Sequence, residues 1–201
     1  MYEIAVIGTS WGGLTAVSTL VEGLPSTFAL PLVVVQHRSP DAPGLLAELL
    51  QGRTRLRVIE VEDKQPVVPG HVFVAPPNYH LLFDRGALSL TTDSPVRYSR
   101  PSIAVTFGSA ADEYGRRAIG IVLTGANEDG SLGLKRIADR GGYAIVQDPS
   151  TAESTVMPQS ALRAVANACV LPLDRIARHL VTIAPRTPPP HPQHSAGVRI
   201  T

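Results

Sequence analysis

The stretch that most constrains the fold is Ile4-Ala5-Val6-Ile7-Gly8-Thr9-Ser10-Trp11-Gly12-Gly13, followed by Leu14 to Val21. An apolar run of strand length stops at a glycine, a serine stands two residues on, and apolar positions at helical spacing begin at once. Ser10 is thereby placed on a tight strand-to-helix turn. A hydroxyl there lies beside the free backbone N–H groups of the next helix, where the helix dipole favours negative charge. Gly8-Thr9-Ser10-Trp11-Gly12 also fits G-x-S-x-G, a pattern whose glycines let the backbone turn sharply while the serine projects. The same composition would serve a phosphate-cradling turn, so the stretch alone leaves both chemistries open.

Downstream, strands and helices alternate. A helix is expected from about Leu14 to Leu24, then Leu32-Val33-Val34-Val35, a β-branched run without alternation that suits a strand buried on both faces. Asp41 to Leu50 reads as helix, with Pro43 in its first turn and Gly52 closing it. Arg55 to Val61 alternates as a half-exposed strand, Glu62 to Pro69 is turn-rich, and Gly70 to Ala75 is a further strand. His80 to Phe83 and Ala87 to Leu90 flank Asp84-Arg85-Gly86 and predict a β-hairpin. Ser102 is a candidate N-cap for a helix to Gly115, and Ala118 to Leu123 is a second buried strand, ending at Thr124-Gly125-Ala126-Asn127-Glu128-Asp129-Gly130. Helices are expected over Ser131 to Arg140, from Pro158 through Ala168, and from an Asp174 cap to Ile183, with a short strand over Tyr143 to Val146. The fold class is therefore α/β: a doubly wound, mostly parallel sheet with helices on both faces and an antiparallel hairpin insertion. Residues 1–184 form one domain, and 185–201, with five prolines and no apolar run, read as an extended or disordered tail.

Composition narrows the function classes. Charged residues make up 17% of the chain and the formal net charge is +1, so no broad nucleic-acid surface is expected. Arg53, Arg55 and Arg57 read as one solvated strand face. The single cysteine, Cys169, excludes an internal disulfide and a multi-cysteine zinc site; it lies in an apolar, helical-looking stretch and reads as core. Neither a signal peptide nor a membrane-length apolar run is apparent, which points to the cytoplasm, and no cofactor or metal is expected.

In doubly wound sheets ligands bind outside the carboxyl ends of the strands. Ser10 follows the first strand, His37 the second, and Asp129 the strand over 118–123. These are the residue types of a hydrolytic triad: a hydroxyl to attack, an imidazole to take and return its proton, and a carboxylate to orient the imidazole. Singly, each has a structural alternative: Ser10 a helix cap, His37 a strand-ending residue bonded to backbone, Asp129 the N-cap of the Ser131 helix. Together, three complementary groups at one sheet edge are harder to explain by capping. Asp148 also follows a strand and is the alternative acid, though Pro149 suggests a turn role; Glu128 adjoins Asp129 and would point elsewhere. His80 follows the strand ending at Ala75 and reads as a pocket-lining residue, while His71, His179, His191 and His194 are poorer candidates.

With these residues in place, the chain resembles the catalytic domain of the chemotaxis protein-glutamate methylesterases, the CheB family. The likeness runs from Ile4 to about Ile183 and is carried by I-G-T-S-W-G-G, V-V-V-Q-H-R, P-G-H-V-F-V-A-P with His80 after it, R-P-S-I-A-V-T-F from Arg100, V-L-T-G-A-N-E-D-G from Val122, and the Q-D-P segment leading to Met157-Pro158. The resemblance implies hydrolysis of glutamate methyl esters on the cytoplasmic helices of chemoreceptors, releasing methanol, and deamidation of certain receptor glutamines. It also implies Ser10, His37 and Asp129 as the triad. The oxyanion hole is expected from the backbone N–H groups of Trp11 and Ala126, with Thr9, Gly12, Gly13, His80 and Arg100 lining the pocket. Trp11 stands where the family usually has a smaller residue, and Ala126 where it commonly has methionine. The family's usual N-terminal receiver domain is not expected here, since Met1 stands three residues before the first strand; the chain reads as either a stand-alone esterase or a fragment, and as written is not switched by that route. Two other readings compete: a catalytically silent receptor-binding module, and a nucleotide-binding domain using Gly8 to Gly13. Against the second, Ser10 replaces the middle glycine of G-x-G-x-x-G and no ribose-binding carboxylate ends the second strand. Oligomeric state is not encoded legibly.

Overall fold

The computed structural model describes residues 1–38 and 45–184. The chain runs β1 (Ile4–Thr9), α1 (Gly13–Glu22), β2 (Leu32–Gln36), α2 (Leu45–Gln51), β3 (Arg57–Glu60), β4 (Gln65–Pro66), β5 (His71–Val74), β6 (His80–Asp84), β7 (Ala87–Thr91), α3 (Ile103–Tyr114), β8 (Ala118–Val122), α4 (Ser131–Asp139), β9 (Tyr143–Gln147), α5 (Val156–Ala164), β10 (Cys169–Leu171) and α6 (Leu173–Ile183). Seven strands form one sheet in the order β10-β9-β8-β1-β2-β5-β3, every pair parallel. The unalternating apolar runs at β1, β2 and β8 fill its centre, as strands covered on both faces must.

Side chains alternate across this sheet into two cores. Ala5, Ile7, Val34 and Ile121 face α1, α2 and α6 through Val17, Leu20, Leu50 and Leu180. Ile4, Val6, Val33 and Val122 face α3, α4 and α5 through Ile103, Phe107, Leu134 and Ala161. The chain leaves β1 toward β2 on one side and returns to β8 on the other, so the winding reverses at β1. The carboxyl ends of β1, β2 and β8 therefore lie side by side at the crevice where such sheets bind ligands.

The expected hairpin is β6 with β7, paired from His80 and Thr91 to Asp84 and Ala87. Its turn is Arg85-Gly86, both at positive φ (51° and 80°), the two-residue geometry that suits the strand twist. A third strand, β4, joins β7 inside the segment expected to be all turn. Two residues ending in a proline carry too little pattern to read as a strand, and Pro66 fits only at a sheet edge. Cys169 corrects its expected helical setting: it opens β10, partly buried against the first core, because α5 stops at Ala164 and residues 165–168 turn back to the sheet. α6 starts with Pro172 as its cap and Asp174 inside its first turn. The expected start of α2 at Asp41 with Pro43, and the tail, lie outside the described residues.

Gly8, next to the end of β1, lies directly under α3, where a Cβ would overlap Ile103 Cγ2 and crowd the Phe107 ring. Gly8→Ala is expected to lower stability by about 1–3 kcal/mol, the cost of overpacking a filled core, read as a reduced urea midpoint at unchanged slope.

Candidate active site

Three loops are stitched together before any reactive group is placed. The Ser10 N–H donates to the Thr124 carbonyl (3.0 Å), and the His37 N–H donates to the Thr9 carbonyl (3.2 Å). Thr124 Oγ1 donates to the Trp11 carbonyl at 3.0 Å. Gly12 caps α1 in the left-handed region (φ 76°), which turns the chain sharply after Ser10 and leaves its side chain at the surface of the crevice. Ser10, Trp11, Gly12, Gly13, Gln36, His37 and Ala126 line one open cleft of about 370 Å3 there.

Asp129 is 3% exposed and sits behind His37, its Oδ2 2.8 Å from Nε2. It also faces the N-terminus of α3. Oδ2 accepts the Ile103 N–H (2.7 Å), and Oδ1 accepts the Ala104 N–H (3.1 Å), the Gly130 N–H (2.9 Å) and the Ser102 hydroxyl (3.1 Å). Ser102 is the N-cap of α3, yet its hydroxyl serves Asp129 and makes no capping bond of its own. Burial pushes the Asp129 carboxyl up, but the His37 hydrogen bond and charge, with the Ile103 and Ala104 N–H groups, pull it further, leaving it below its ordinary 3.8. An ionised carboxylate only accepts, so His37 Nε2 is the donor in this bond.

Asn127, which the sequence reading passed over, determines what Nδ1 meets. Its Oδ1 accepts the Asp129 N–H (3.0 Å), which turns its amide nitrogen to His37 Nδ1 at 2.9 Å. Nδ1 thus receives the amide N–H, and among the described residues no hydrogen bond joins His37 to the Ser10 hydroxyl, although both line the same cleft. Spacing within a strand-end loop carried no signal for this bridge. Among the described residues the backbone N–H groups of Trp11, Gly12 and Ala126 make no hydrogen bond, leaving donors at the start of α1 and in the β8 loop.

Other expected lining residues fall elsewhere. Thr9 is fully buried and donates its hydroxyl to the Thr124 carbonyl (2.8 Å), because it still faces inward as the last residue of β1. His80 is 1% exposed and lines neither cleft at His37: its Nδ1 accepts the Ser102 N–H (3.2 Å) and Nε2 donates to the Ser94 carbonyl (3.1 Å). Arg100 lines a second cleft that meets the first at His37. Asp148, the alternative acid, is exposed and accepts from Ser150 N–H and Oγ, closing a 3-10 turn away from the imidazole. Glu128 likewise points out, toward Arg97 and Arg163. Among the described residues, no three His, Cys, Asp or Glu side chains converge as metal ligands, and no helix is long and apolar enough to cross a membrane.

Residues 5–180 match the family model described as CheB methylesterase. The chain belongs to the CheB methylesterase family. Its fold superposes on the crystal structure of the Thermotoga maritima CheB methylesterase catalytic domain with a TM-score of 0.87, at 32% identity, covering 92% of this chain and all of that one. A relative from Leptospira interrogans, named for protein-glutamate methylesterase and protein-glutamine glutaminase activities, is 43% identical over 90% of this chain and 95% of its own length. The protein-glutamate methylesterase FrzG of Myxococcus xanthus is 38% identical over 90% of this chain, which spans 54% of that relative. A carboxylic-ester hydrolase activity goes with this family.

Because the folded Asp129 carboxyl titrates below its unfolded value, its contribution to stability is present above about pH 4 and is lost as pH falls through the folded value. Asp129→Asn, which sets an amide N–H against the α3 donors, is expected to cost about 2–4 kcal/mol near pH 7. Urea unfolding at pH 7 and pH 3 should show the gap between wild type and variant closing on acidification.

Proposed function

We propose that this chain is a protein-glutamate methylesterase acting on chemoreceptor cytoplasmic helices, with Ser10 as nucleophile, His37 as general base and acid, and Asp129 as its orienting carboxylate. One observation carries the reading: an ionised, buried Asp129 holds His37 Nε2 at 2.8 Å, leaving Nδ1 as the other ring nitrogen in the cleft that Ser10 lines. The family membership and the relatives' names supply the substrate class.

On this reading substrate entry displaces the Asn127 amide from Nδ1, and the Ser10 hydroxyl takes its place. As Oγ bonds to the ester carbonyl carbon, its proton passes to Nδ1, and Asp129 stabilises the resulting imidazolium. The tetrahedral oxyanion is received by the free N–H groups of Trp11 and Ala126; losing one such donor typically costs about 10²–10³ in turnover. The carbon–oxygen bond to the methoxy group breaks, Nδ1 returns the proton, and methanol leaves. Water then adds to the acyl-serine by the same route, giving a glutamate carboxylate and restoring Ser10. A glutamine side chain would follow the same path with ammonia as leaving group.

Methanol release from a methylated receptor fragment tests the assignment. Ser10→Ala is expected to lower it by at least about 10³-fold while leaving the urea midpoint near wild type, and a fluorophosphonate should label wild type at Ser10 alone. Equal turnover by Ser10→Ala, or no label on the folded wild type, would refute it.

A further inference from the structure

The second cleft at His37 holds about 400 Å3 and is lined also by Arg38, Asn78, Tyr98, Ser99 and Arg100. Hydrolysis of the ester as described above uses none of these five. Two of them carry guanidinium donors without acceptors. The Arg38 side chain is only 9% exposed; its Nη2 donates to Glu60 (2.5 Å) and to the Ala75 carbonyl (2.9 Å), while Nε and Nη1 are buried with no partner. Arg100 spends Nη1 on the Thr92 and Asp93 carbonyls (2.8 and 3.2 Å), and its Nε is likewise buried and unpartnered. Buried charged donors left unpaired are costly, and a fold retains them where a ligand supplies the acceptor.

We propose that this cleft binds a carboxylate of the substrate polypeptide: an acidic side chain close in the chain to the glutamate ester held at Ser10. The inference rests on the esterase reading above. With Nη2 already engaged, Arg38 offers Nε and Nη1 as separate charge-assisted donors on different sides of the guanidinium, and a carboxylate oxygen accepts such a donor more strongly than a neutral one. Glu60 pairs with Arg38, while Arg100 makes no ion pair among the described residues. Because His37 lines both clefts, a polypeptide reaching Ser10 from this side must cross the arginines, so a neighbouring residue falls within their range. Tyr98, fully exposed at the cleft and at φ 64°, offers a ring for the apolar part of the same segment.

The test uses two synthetic peptides, each with one glutamate methyl ester, differing only in whether the flanking residues are glutamate or glutamine. Wild type is expected to favour the acidic peptide by about tenfold in kcat/KM, mostly through KM, the scale of one charge-assisted hydrogen bond. In Arg38→Gln that ratio should fall toward one, with fluorophosphonate labelling of Ser10 reporting that the site is assembled. Should Arg38→Gln fail to label, Arg38→Lys, which keeps the charge without the planar set of N–H donors, is expected to retain only part of the preference. Equal turnover of the two peptides by wild type overturns the proposal, as does an undiminished preference in a labelled Arg38→Gln. Absence of both methanol and label in wild type would instead overturn the esterase reading, and this inference with it.

Discussion

Everything at the crevice depends on one buried carboxylate. Asp129 stands at the N-terminus of α3, where two backbone N–H groups and the Ser102 hydroxyl converge, and it offers the same Oδ2 to His37. The cost of burying the charge is met first by His37 and then by the fixed N–H groups at the helix end, so the group stays ionised while lying almost wholly out of water. An ionised acceptor behind the ring then decides which nitrogen is protonated. The helix that covers one face of the sheet thus also sets the chemistry at its edge.

The same economy runs through the neighbouring loops. Thr124 receives the Thr9 hydroxyl and the Ser10 N–H on its carbonyl while its own hydroxyl serves the Trp11 carbonyl, so the turn after β1 is held by the loop after β8. His80, removed from the cleft wall, joins the Ser94 carbonyl to the buried N–H of the α3 cap residue, Ser102. The loop that carries Tyr98 and Arg100 is in this way referenced to the helix that holds Asp129.

What the sequence made legible, and what it did not, divides along physical lines. Apolar runs without alternation announced β1, β2 and β8, and the binding rule for parallel sheets then brought Ser10, His37 and Asp129 to one edge, because strand ends are positions that pattern can locate. Side-chain partnerships inside loops leave no period. Asn127 is one residue of a glycine-rich segment, and nothing in its spacing marks the bridge between Asp129 N–H and His37 Nδ1. Thr9 and His80 were expected at the pocket because they adjoin pocket residues, but the strand pleat at Thr9 and the backbone partners of His80 carry them inward. β4 and β10, of two and three residues, are too short to be read as strands.

His37 is tethered at the outer tip of its ring and presents the edge nearest its own main chain to the cleft. A given rotation about the Cα–Cβ bond displaces that edge less than it displaces the tip. The tip is pinned to a carboxylate that is itself locked to a helix end, and the residue's own N–H is tied to Thr9, so the cleft-facing nitrogen sits on a short lever arm. Alignment at this crevice is therefore set by where β2 ends, and it tolerates change on the solvent side better than any shift in the strand beneath.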